Sequence, residues 1–232
     1  MSTPAPDFEL YADQKPFNDS IAPGWEAAFR NAVSSTHREP RQIRFLDLGC
    51  GDGKYFRFLL NQGLRPENIH GLEMSRKRIE RCHALGWSQV FYQENPTVIP
   101  YADGGFDVVN FMEVIEHVPI SAAPKLVAEI ARVLAPGGRL LISTPNYPIK
   151  RLYDVSDAFL HGKWKRLKDD PTHITFYNHW RLSALLGAYF KSLQEWSFKD
   201  GFIYERIPRP FFRHKILYIC GDARYPLTLQ PR

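Results

Sequence analysis

Three glycines at alternate positions constrain this chain more than any other feature of its sequence. They are Gly49, Gly51 and Gly53, within the stretch Phe-Leu-Asp-Leu-Gly-Cys-Gly-Asp-Gly-Lys-Tyr at residues 45–55. A short apolar run precedes them, and residues 55–60 can place their apolar side chains on one face of a helix. A strand, a tight turn and a helix are therefore predicted. Such a turn leaves free N–H groups at the start of the helix and lets a polar ligand approach the backbone closely.

The spacing of these glycines separates the loop from the common phosphate-binding loops. The dinucleotide pattern spaces its glycines more widely, and the nucleoside triphosphate loop needs a Gly-Lys-Ser/Thr element, which does not occur here. The alternation from Asp47 to Gly53 instead resembles the first motif of the class I S-adenosylmethionine-dependent methyltransferases. In that family the loop holds the amino-acid end of the cofactor. The resemblance therefore implies that Asp47, Gly49 and Gly51 bind S-adenosylmethionine.

Predicted strands and helices alternate along the middle of the chain. Strands are predicted at residues 43–48, 69–73 and 89–93, with helices at about 53–62 and 75–85. Strands separated by helices favour a parallel sheet covered on both faces, with the carboxyl ends of its strands at one edge. The resemblance implies an α/β, Rossmann-like class I methyltransferase fold, which is a doubly wound, mostly parallel seven-stranded sheet with a small helical cap insertion.

The length of 232 residues suits one well-buried core better than two ordinary domains. We expect a single methyltransferase domain in four parts. They are an N-terminal arm and helix at 1–42, a cofactor-binding core at 43–146, a cap insertion at 147–178 and a C-terminal completion of the sheet at 179–232. The last part is predicted to contain a helix at 179–190 and strands at 193–199 and 215–220.

Composition limits the classes of protein to which the chain can belong. Hydrophobic residues make up 44% and charged residues 24%, as in soluble globular proteins. No apolar run approaches the roughly 18 residues of a membrane span, and the N-terminus lacks the pattern of a secretion signal, so we expect a cytoplasmic protein. The three cysteines have neither paired spacing nor an even count, which favours reduced thiols. A net charge of +5 permits an anionic partner without requiring one.

An acidic residue follows the second predicted strand, at a position where it could hold a ribose. Glu73 lies twenty residues after Gly53. A carboxylate at that place can accept hydrogen bonds from both ribose hydroxyls, and its charge excludes a 2′-phosphate. The resemblance adds Met74 and Met112 as residues that border the cofactor.

Adenine recognition departs from the family pattern. Asn95 stands where the family usually has an aspartate that accepts from the adenine amino group, and an asparagine oxygen can still accept. The next residue is Pro96, which has no N–H to offer the base. Glu94 is an alternative partner.

The most specific part of the resemblance begins with an apolar run at 106–111, which predicts a central strand buried on both faces. Glu-Val-Ile-Glu-His-Val follows at 113–118, then a predicted helix at 122–134. Leu-Ala-Pro-Gly-Gly-Arg-Leu-Leu-Ile-Ser-Thr-Pro-Asn ends at 146. These segments resemble the branch that contains the ubiquinone and menaquinone methyltransferases. That branch implies methyl transfer to a small molecule, such as a hydroxyl of a quinone precursor, a glycan or another metabolite.

An acidic and imidazole cluster at 113–117 has two interpretations. If the segment is helical, Glu113, Glu116 and His117 share one face. In ubiquinone O-methyltransferases and in enzymes that methylate the 2′-hydroxyl of small RNAs, a similar set binds a divalent ion, and His173 could be a fourth ligand. We adopt the interpretation without a metal, in which the glutamates hold the loop through hydrogen bonds to the backbone. His117 and His173 are then the candidate general bases, because imidazole exchanges protons near neutral pH.

Three further segments bear on the acceptor. Residues 150–168 carry six cations against two aspartates, and predict either a basic helical cap that favours a phosphorylated or carboxylated substrate or a solvated basic face. Residues 206–215 are basic and aromatic, and could contact nucleic acid, an anionic membrane surface or the sheet edge. Nucleic acid is not the expected partner, since no RNA-binding module is recognised. Tyr11 and Lys15 are candidate lid residues.

Two alternative functions stay open at this point. The cluster at 113–117 and the basic segments would suit an RNA 2′-O-methyltransferase with a divalent metal. The pair Asn95-Pro96 would suit a protein that binds the cofactor without catalysis. The sequence does not indicate the oligomeric state.

Overall fold

The computed structural model describes residues 8–14, 17–196 and 213–224. The helices in these residues are α1 Phe8–Gln14, α2 Pro23–Ser34, α3 Phe56–Asn61, α4 Arg76–Ala84, α5 Ala123–Val133, α6 Ile149–His161 and α7 His179–Gly187. The strands are β1 Phe45–Leu48, β2 Ile69–Glu73, β3 Val90–Tyr92, β4 Phe106–Met112, β5 Leu134–Pro145, β6 Phe190–Glu195 and β7 Lys215–Ala223. None of the helices in this part of the chain has the length and hydrophobicity needed to cross a bilayer.

The seven strands form one sheet in the order β3-β2-β1-β4-β5-β7-β6. Strands β1 to β5 pair in parallel, whereas β7 runs antiparallel to both β5 and β6. This confirms the doubly wound, mostly parallel seven-stranded sheet predicted from the sequence. Because the chain winds outward in opposite directions from β1 and from β4, the two strands meet at the topological switch point, where open α/β sheets bind their ligands.

Both faces of the sheet are covered, so the central strands are mostly apolar, with Asp47, Asp107 and Asn110 as buried polar residues. Every residue of β1 and β4 is buried. Alternating side chains enter opposite cores: Leu46 and Val109 face α5 and α7, while Phe45 and Val108 face α2, α3 and α4. This two-sided burial explains why these strands read as continuous hydrophobic runs.

The predicted element boundaries differ from the observed ones mainly at the turns. Helix α3 begins at Phe56 rather than near 53, because Gly53 has a φ of +74° and belongs to the loop. Strand β6 begins at Phe190, three residues earlier than predicted, and α7 ends at Gly187. Residues 197–199 of the predicted strand lie outside the described residues.

Candidate active site

A cavity of about 770 Å³ opens at the carboxyl ends of β1, β2 and β4. Leu48 and Gly49 line it from the end of β1, Glu73 and Met74 from the end of β2, and Phe111 from β4. The rest of the wall is mostly apolar. It comes mainly from α1, from the segment after β4 and from residues 174–175, with smaller contributions from α4, from α5 and from the segment after β3. The cavity thus lies at the switch point of the sheet.

The glycine loop requires its glycines. Gly49, Gly51 and Gly53 have φ values of +71°, +57° and +74°, in the left-handed region that residues with a Cβ rarely adopt. Gly49 N donates to the carbonyl of Leu72 at 2.8 Å, which ties the loop to β2. A Cβ on Gly49 would lie 2.7 Å from Cγ2 of Val114, so the loop also packs closely against the segment after β4.

Glu73 connects this loop to the end of β2. Its Oε2 accepts from the Gly51 N–H at 2.8 Å, and its Oε1 accepts from the N–H groups of Met74 and Ser75 at 2.9 Å each. The residue is only 7% exposed, yet it lines the cavity. Since a carboxylate oxygen can accept more than one hydrogen bond, Glu73 can hold the loop and still accept from a ligand hydroxyl.

Four residues predicted to bind the cofactor do not line the cavity: Asp47, Gly51, Asn95 and Met112. Gly51 lies next to the wall, where its N–H donates to Glu73. Met112 is buried in the core on the α2, α3 and α4 side, because strand alternation turns its neighbours Phe111 and Glu113 toward the cavity instead. Asp47 is buried beneath the loop, where its Oδ1 accepts from Asn110 Nδ2 at 2.6 Å. Burial raises the pKa of Asp47 to about 7.

Asn95 is exposed and serves the turn that follows β3. Its Oδ1 accepts from the backbone N–H of Thr97 at 2.9 Å and from the Thr97 hydroxyl at 2.8 Å. Pro96 and Gln93 line the cavity in its place. Residues 95–96 depart from the family pattern. In the structure, Pro96 supplies apolar surface to the cavity, and the Asn95 side chain is used within its own turn.

Sequence reasoning missed Arg78, which lines the cavity from α4. A Cβ on Gly51 would lie 2.8 Å from one terminal nitrogen of its guanidinium, and the guanidinium carbon lies 5.3 Å from the ring centroid of Tyr11. The Nε of Arg78 is buried and has no hydrogen-bond partner in the described part of the chain. In the sequence, Arg78 belongs to the run Arg76-Lys77-Arg78, which is typical of an exposed helix face. Only its position five residues after Glu73 indicates that it lies near the predicted cofactor site.

The segment after β4 is not a continuous helix, which corrects the shared-face prediction. Glu113 has a φ of +57°, and only Ile115–His117 form a short 3-10 turn. Glu113 accepts from the Ser143 hydroxyl at 2.8 Å and from the Lys215 ammonium at 2.6 Å. Burial opposes its ionisation, but the charge of Lys215 together with the hydrogen bonds from Lys215 and Ser143 outweighs burial and lowers the pKa of Glu113.

Glu116 belongs to a different group from Glu113. Its Oε2 accepts from the Thr144 hydroxyl at 3.1 Å, and its backbone carbonyl accepts from the N–H groups of Ile174 and Thr175. In the described residues, the carboxyls of the two glutamates bond to side-chain hydroxyls and to Lys215, and the backbone carbonyl of Glu116 joins its loop to residues 174–175. Burial, and then the charge of Glu113, raises the pKa of Glu116 well above its usual range.

The structure brings Glu116, His117 and His173 together. One ligand atom from each lies within 4.8 Å of the others, and the two imidazole rings have centroids 4.9 Å apart. A metal held by these atoms would require Glu116 to give up its proton. His173 Nδ1 also lies 3.4 Å from the Tyr147 hydroxyl, and of the two histidines only His117 lines the cavity.

His117 has the geometry of a base. Its Nδ1 lies 3.0 Å from the carbonyl of Thr172, which accepts hydrogen bonds only, so Nδ1 carries the hydrogen and Nε2 has the free lone pair. Burial lowers the pKa of His117 below its usual value. The imidazole is therefore neutral at pH 7 and able to accept a proton.

Helix α1 covers this histidine. Phe8 and Tyr11 line the cavity, with ring centroids 6.2 and 6.3 Å from that of His117. Glu9 attaches α1 to the start of α4, where it accepts from the backbone N–H of Arg76 at 2.6 Å. Tyr11 thus occupies the position expected of a lid residue, and Lys15 lies outside the described residues.

The basic segment at 150–168 does not line this cavity. Lys150 and Arg166 border a second cavity of about 420 Å³ between α6 and the strand ends Pro145 and Lys215. Lys150 pairs with Asp154, and Arg166 pairs with Asp157. Both cations are ion-paired beside this second cavity, and no residue of 150–168 lines the first one, so the segment does not form the predicted anion-binding cap over the site. Residues 206–212 of the other basic segment are outside the described residues.

Known proteins resemble the chain at the level of family and fold. A family model described as a methyltransferase domain matches residues 25–189. A probable chloroplastic tocopherol O-methyltransferase of Oryza sativa subsp. japonica is 34% identical over 123 residues, which are 50% of this chain and 32% of that protein. A ubiquinone biosynthesis O-methyltransferase of Sodalis glossinidius is 35% identical over 106 residues, 44% of this chain and 41% of that protein. The chain thus spans less than half the length of these relatives.

Solved structures agree on the fold. A SAM-dependent methyltransferase from Archaeoglobus fulgidus superimposes with a TM-score of 0.63 at 16% identity, covering 94% of this chain and 99% of that one. The PH0226 protein from Pyrococcus horikoshii OT3 gives 0.61 at 16% identity, covering 93% of this chain and all of that one.

The close approach of the glycine loop to Val114 can be tested with a matched pair of variants. Gly137→Ala places a Cβ at a φ of +77° in open space, so we expect a loss of about 1–2 kcal/mol of unfolding free energy from backbone strain alone. Gly49→Ala adds the clash with Val114, and should cost about 1–3 kcal/mol more. Urea denaturation measures both. Val114→Ala should restore part of the loss in Gly49→Ala, and equal losses in the two glycine variants would contradict the tight packing.

Proposed function

The chain belongs to the methyltransferase family whose domain model matches residues 25–189, and we propose that it transfers a methyl group from S-adenosylmethionine to a hydroxyl of a small molecule. The observation that carries the proposal is the convergence of three groups on one cavity. The glycine loop lies at one wall, Glu73 holds that loop and faces the same space, and neutral His117 lines the wall contributed by the segment after β4. S-adenosylmethionine is the cofactor of the family.

The residues present fit this cofactor. Gly49 lines the cavity in a conformation that a residue with a Cβ rarely adopts, and a carboxylate at position 73 suits a ribose diol. Met74 and Pro96 supply apolar wall for a base. We propose these residues as the contacts.

The other predicted cofactor residues act as supports in this proposal. Asp47 and Met112 are buried beside the loop, so they set its position from beneath. Asn95 shapes the turn that presents Pro96 to the cavity, through its bonds to Thr97. These three residues position the contacts rather than touch the cofactor.

The cofactor supplies an electrophilic methyl group, and the chain supplies placement and a proton acceptor. Alignment of the reacting groups can account for on the order of 7–11 kcal/mol of barrier. His117 holds the acceptor hydroxyl at Nε2 and takes its proton, while the Thr172 carbonyl fixes the ring. His173 and Glu116 pack behind His117 and set its environment, and Phe8 and Tyr11 exclude water.

Oxygen as the nucleophile is supported by the curated relatives, which are named as O-methyltransferases of tocopherol and of ubiquinone biosynthesis. The mostly apolar wall supports an acceptor with an apolar body. The basic segment at 150–168 does not line the cavity, so it adds no support for an anionic acceptor.

Label transfer tests the function. The chain is incubated with methyl-labelled S-adenosylmethionine and an extract of the source cells, which is then separated into lipids, polar small molecules and RNA. We expect label in a small-molecule fraction, resistant to ribonuclease and to EDTA, and lost in Glu73→Ala. Label in RNA that requires a divalent ion would support 2′-O-methylation of RNA instead. No label in any fraction would favour binding without catalysis.

Arg78 should pair with the carboxylate of the cofactor's amino-acid end, because it lies beside Gly51 of the loop that receives that end. Charged hydrogen bonds contribute about 1.5–3 kcal/mol, so Arg78→Ala should weaken S-adenosylhomocysteine roughly 10- to 100-fold in calorimetry. Binding of 5′-methylthioadenosine, which lacks the carboxylate, should not change. The exposed Arg65→Ala serves as the control. Equal weakening of both ligands would show that the variant disturbs the cavity as a whole.

The proton acceptor should be visible in the pH dependence of label transfer. Burial lowers the pKa of His117, so the active neutral form is lost only as the pH falls below about 6.5, the ordinary imidazole value. His117→Gln should lower the rate about 10²- to 10⁴-fold and abolish this acidic limb. His37→Asn changes an exposed histidine whose φ of +56° an asparagine tolerates, and should leave the profile unchanged. An acidic limb that persists in His117→Gln would assign the base elsewhere.

A further inference from the structure

Helix α6 turns its apolar side to solvent. Leu152, Val155, Phe159 and Leu160 are 65%, 41%, 69% and 75% exposed. Their spacing of three, four and one residues places them on one face of the helix. Helices at the surface of a globular protein bury such a stripe against the core. A contiguous exposed stripe indicates a surface that meets something else.

Trp164 extends this stripe beyond the end of the helix. It is 56% exposed, and its ring packs edge-on against Phe159 with centroids 5.2 Å apart. The α6 surface is defined here as Leu152, Val155, Phe159, Leu160 and Trp164. Five large apolar side chains therefore form one continuous exposed surface.

Polar contacts hold the inner side of the helix. Lys150 donates to Asp154 at 2.5 Å and to Asp169 at 3.3 Å. Asp157 pairs with Arg166 of the turn that follows. Ala158 is the one fully buried residue between them. Because these contacts attach α6 to the fold, its apolar side chains are left for another partner.

Cations surround the α6 surface. Arg151, Lys163 and Arg166 have side chains 43%, 52% and 53% exposed, and Lys165 and Lys168 are also exposed. The aspartates of the helix are mostly covered, with Asp154 10% and Asp157 22% exposed. Asp157 pairs with Lys163 and Arg166, and Asp169 pairs with Arg151. Residues 150–168 still carry six cations against two aspartates, so the net charge around the apolar centre is positive.

We propose that the α6 surface docks on an anionic lipid membrane. Leucine, phenylalanine and tryptophan on one side of a helix with lysine and arginine around it are the features of helices that lie in the plane of a membrane interface. Tryptophan in particular favours the boundary between lipid and water. A second copy of the chain is a poorer partner, because two cationic rims would face one another.

The docked orientation brings the candidate active site close to the bilayer. Helix α6 begins four residues after the end of β5, whose carboxyl end lies at the same sheet edge as the cavity. An acceptor dissolved in the membrane would then have a short path to the apolar cavity. This second step rests on the proposed function, whereas the docking itself rests on α6 alone.

Vesicle co-sedimentation of the full chain tests the docking. We expect binding to vesicles of phosphatidylcholine with phosphatidylglycerol, and much weaker binding to phosphatidylcholine alone. Phe159→Ser with Leu160→Ser should weaken binding by about tenfold or more, because the apolar insertion is lost. The matched control is Phe91→Ser with Leu85→Ser, which changes the same residue types at 46% exposure away from α6. It should bind as the unmodified chain does.

The charge of the α6 surface and the depth of its insertion into the membrane can be tested separately. Lys163→Glu with Lys165→Glu should weaken binding and flatten its dependence on salt. Brominated lipids should quench part of the tryptophan fluorescence, and Trp164→Phe should remove that part. Circular dichroism confirms that each variant is folded, since the changed side chains are exposed.

Several outcomes would overturn the docking. They are no sedimentation with anionic vesicles, an equal loss in the control pair, or a loss in neither pair. A dimer in light scattering that Phe159→Ser with Leu160→Ser disperses would assign the α6 surface to self-association. Vesicle binding without label transfer to any acceptor would refute the proposed function and leave the docking intact, so the two failures are distinguishable.

Discussion

The site depends on one carboxylate that joins two loops. Glu73 accepts a hydrogen bond from Gly51 in the glycine loop after β1. It also accepts from Met74 and Ser75, which connect β2 to α4. The two loops follow different strands, and Glu73 adds to the bonds that Gly49 and Cys50 make to the Leu72 carbonyl of β2. Because one buried side chain fixes both, the wall of the cavity is set before any ligand arrives, and little ordering remains to oppose binding.

The alternation of side chains along each strand determines which motif residues face the cavity. Successive side chains on a strand point to opposite faces, so a motif residue next to a cavity residue is usually buried on the other side. Phe111 lines the cavity and Met112 enters the core behind it. Asp47 is likewise buried while Leu48 faces the cavity. A motif therefore marks a strand end more reliably than it marks contact atoms.

The fold was predictable because its signals are long and repeated. The glycine loop, Glu73 and the apolar run of β4 place three strand ends at one edge, and the sheet confirms that arrangement. One local feature was not predictable. Glu113 adopts a positive φ, and its partners Ser143 and Lys215 come from β5 and β7, which no local pattern encodes.

Two other features could not be predicted from the sequence because they depend on contacts between distant parts of the chain. Arg78 resembles ordinary surface charge until the loop of residue 51 is folded over it. From the sequence, the apolar stripe of α6 predicts a buried face. The structure instead turns the stripe outward and places ion pairs on the inner side of the helix. Such features depend on tertiary contacts, whereas sequence periodicity reports only that a face exists.

Two buried carboxyls near the cavity differ in how they can act on a charged ligand. Asp47 is fully desolvated beneath the loop, its Oδ2 has no partner in the described residues, and burial raises its pKa to about 7. Asp47 lies beneath the loop rather than at the wall, and with this pKa it carries only part of a negative charge at pH 7. Glu73 lines the wall, where a carboxylate favours a ligand that carries positive charge. A sulfonium has that charge and the thioether left after methyl transfer does not. In the proposed function, Glu73 would therefore hold the methyl donor more strongly than its product, which would favour exchange after each transfer.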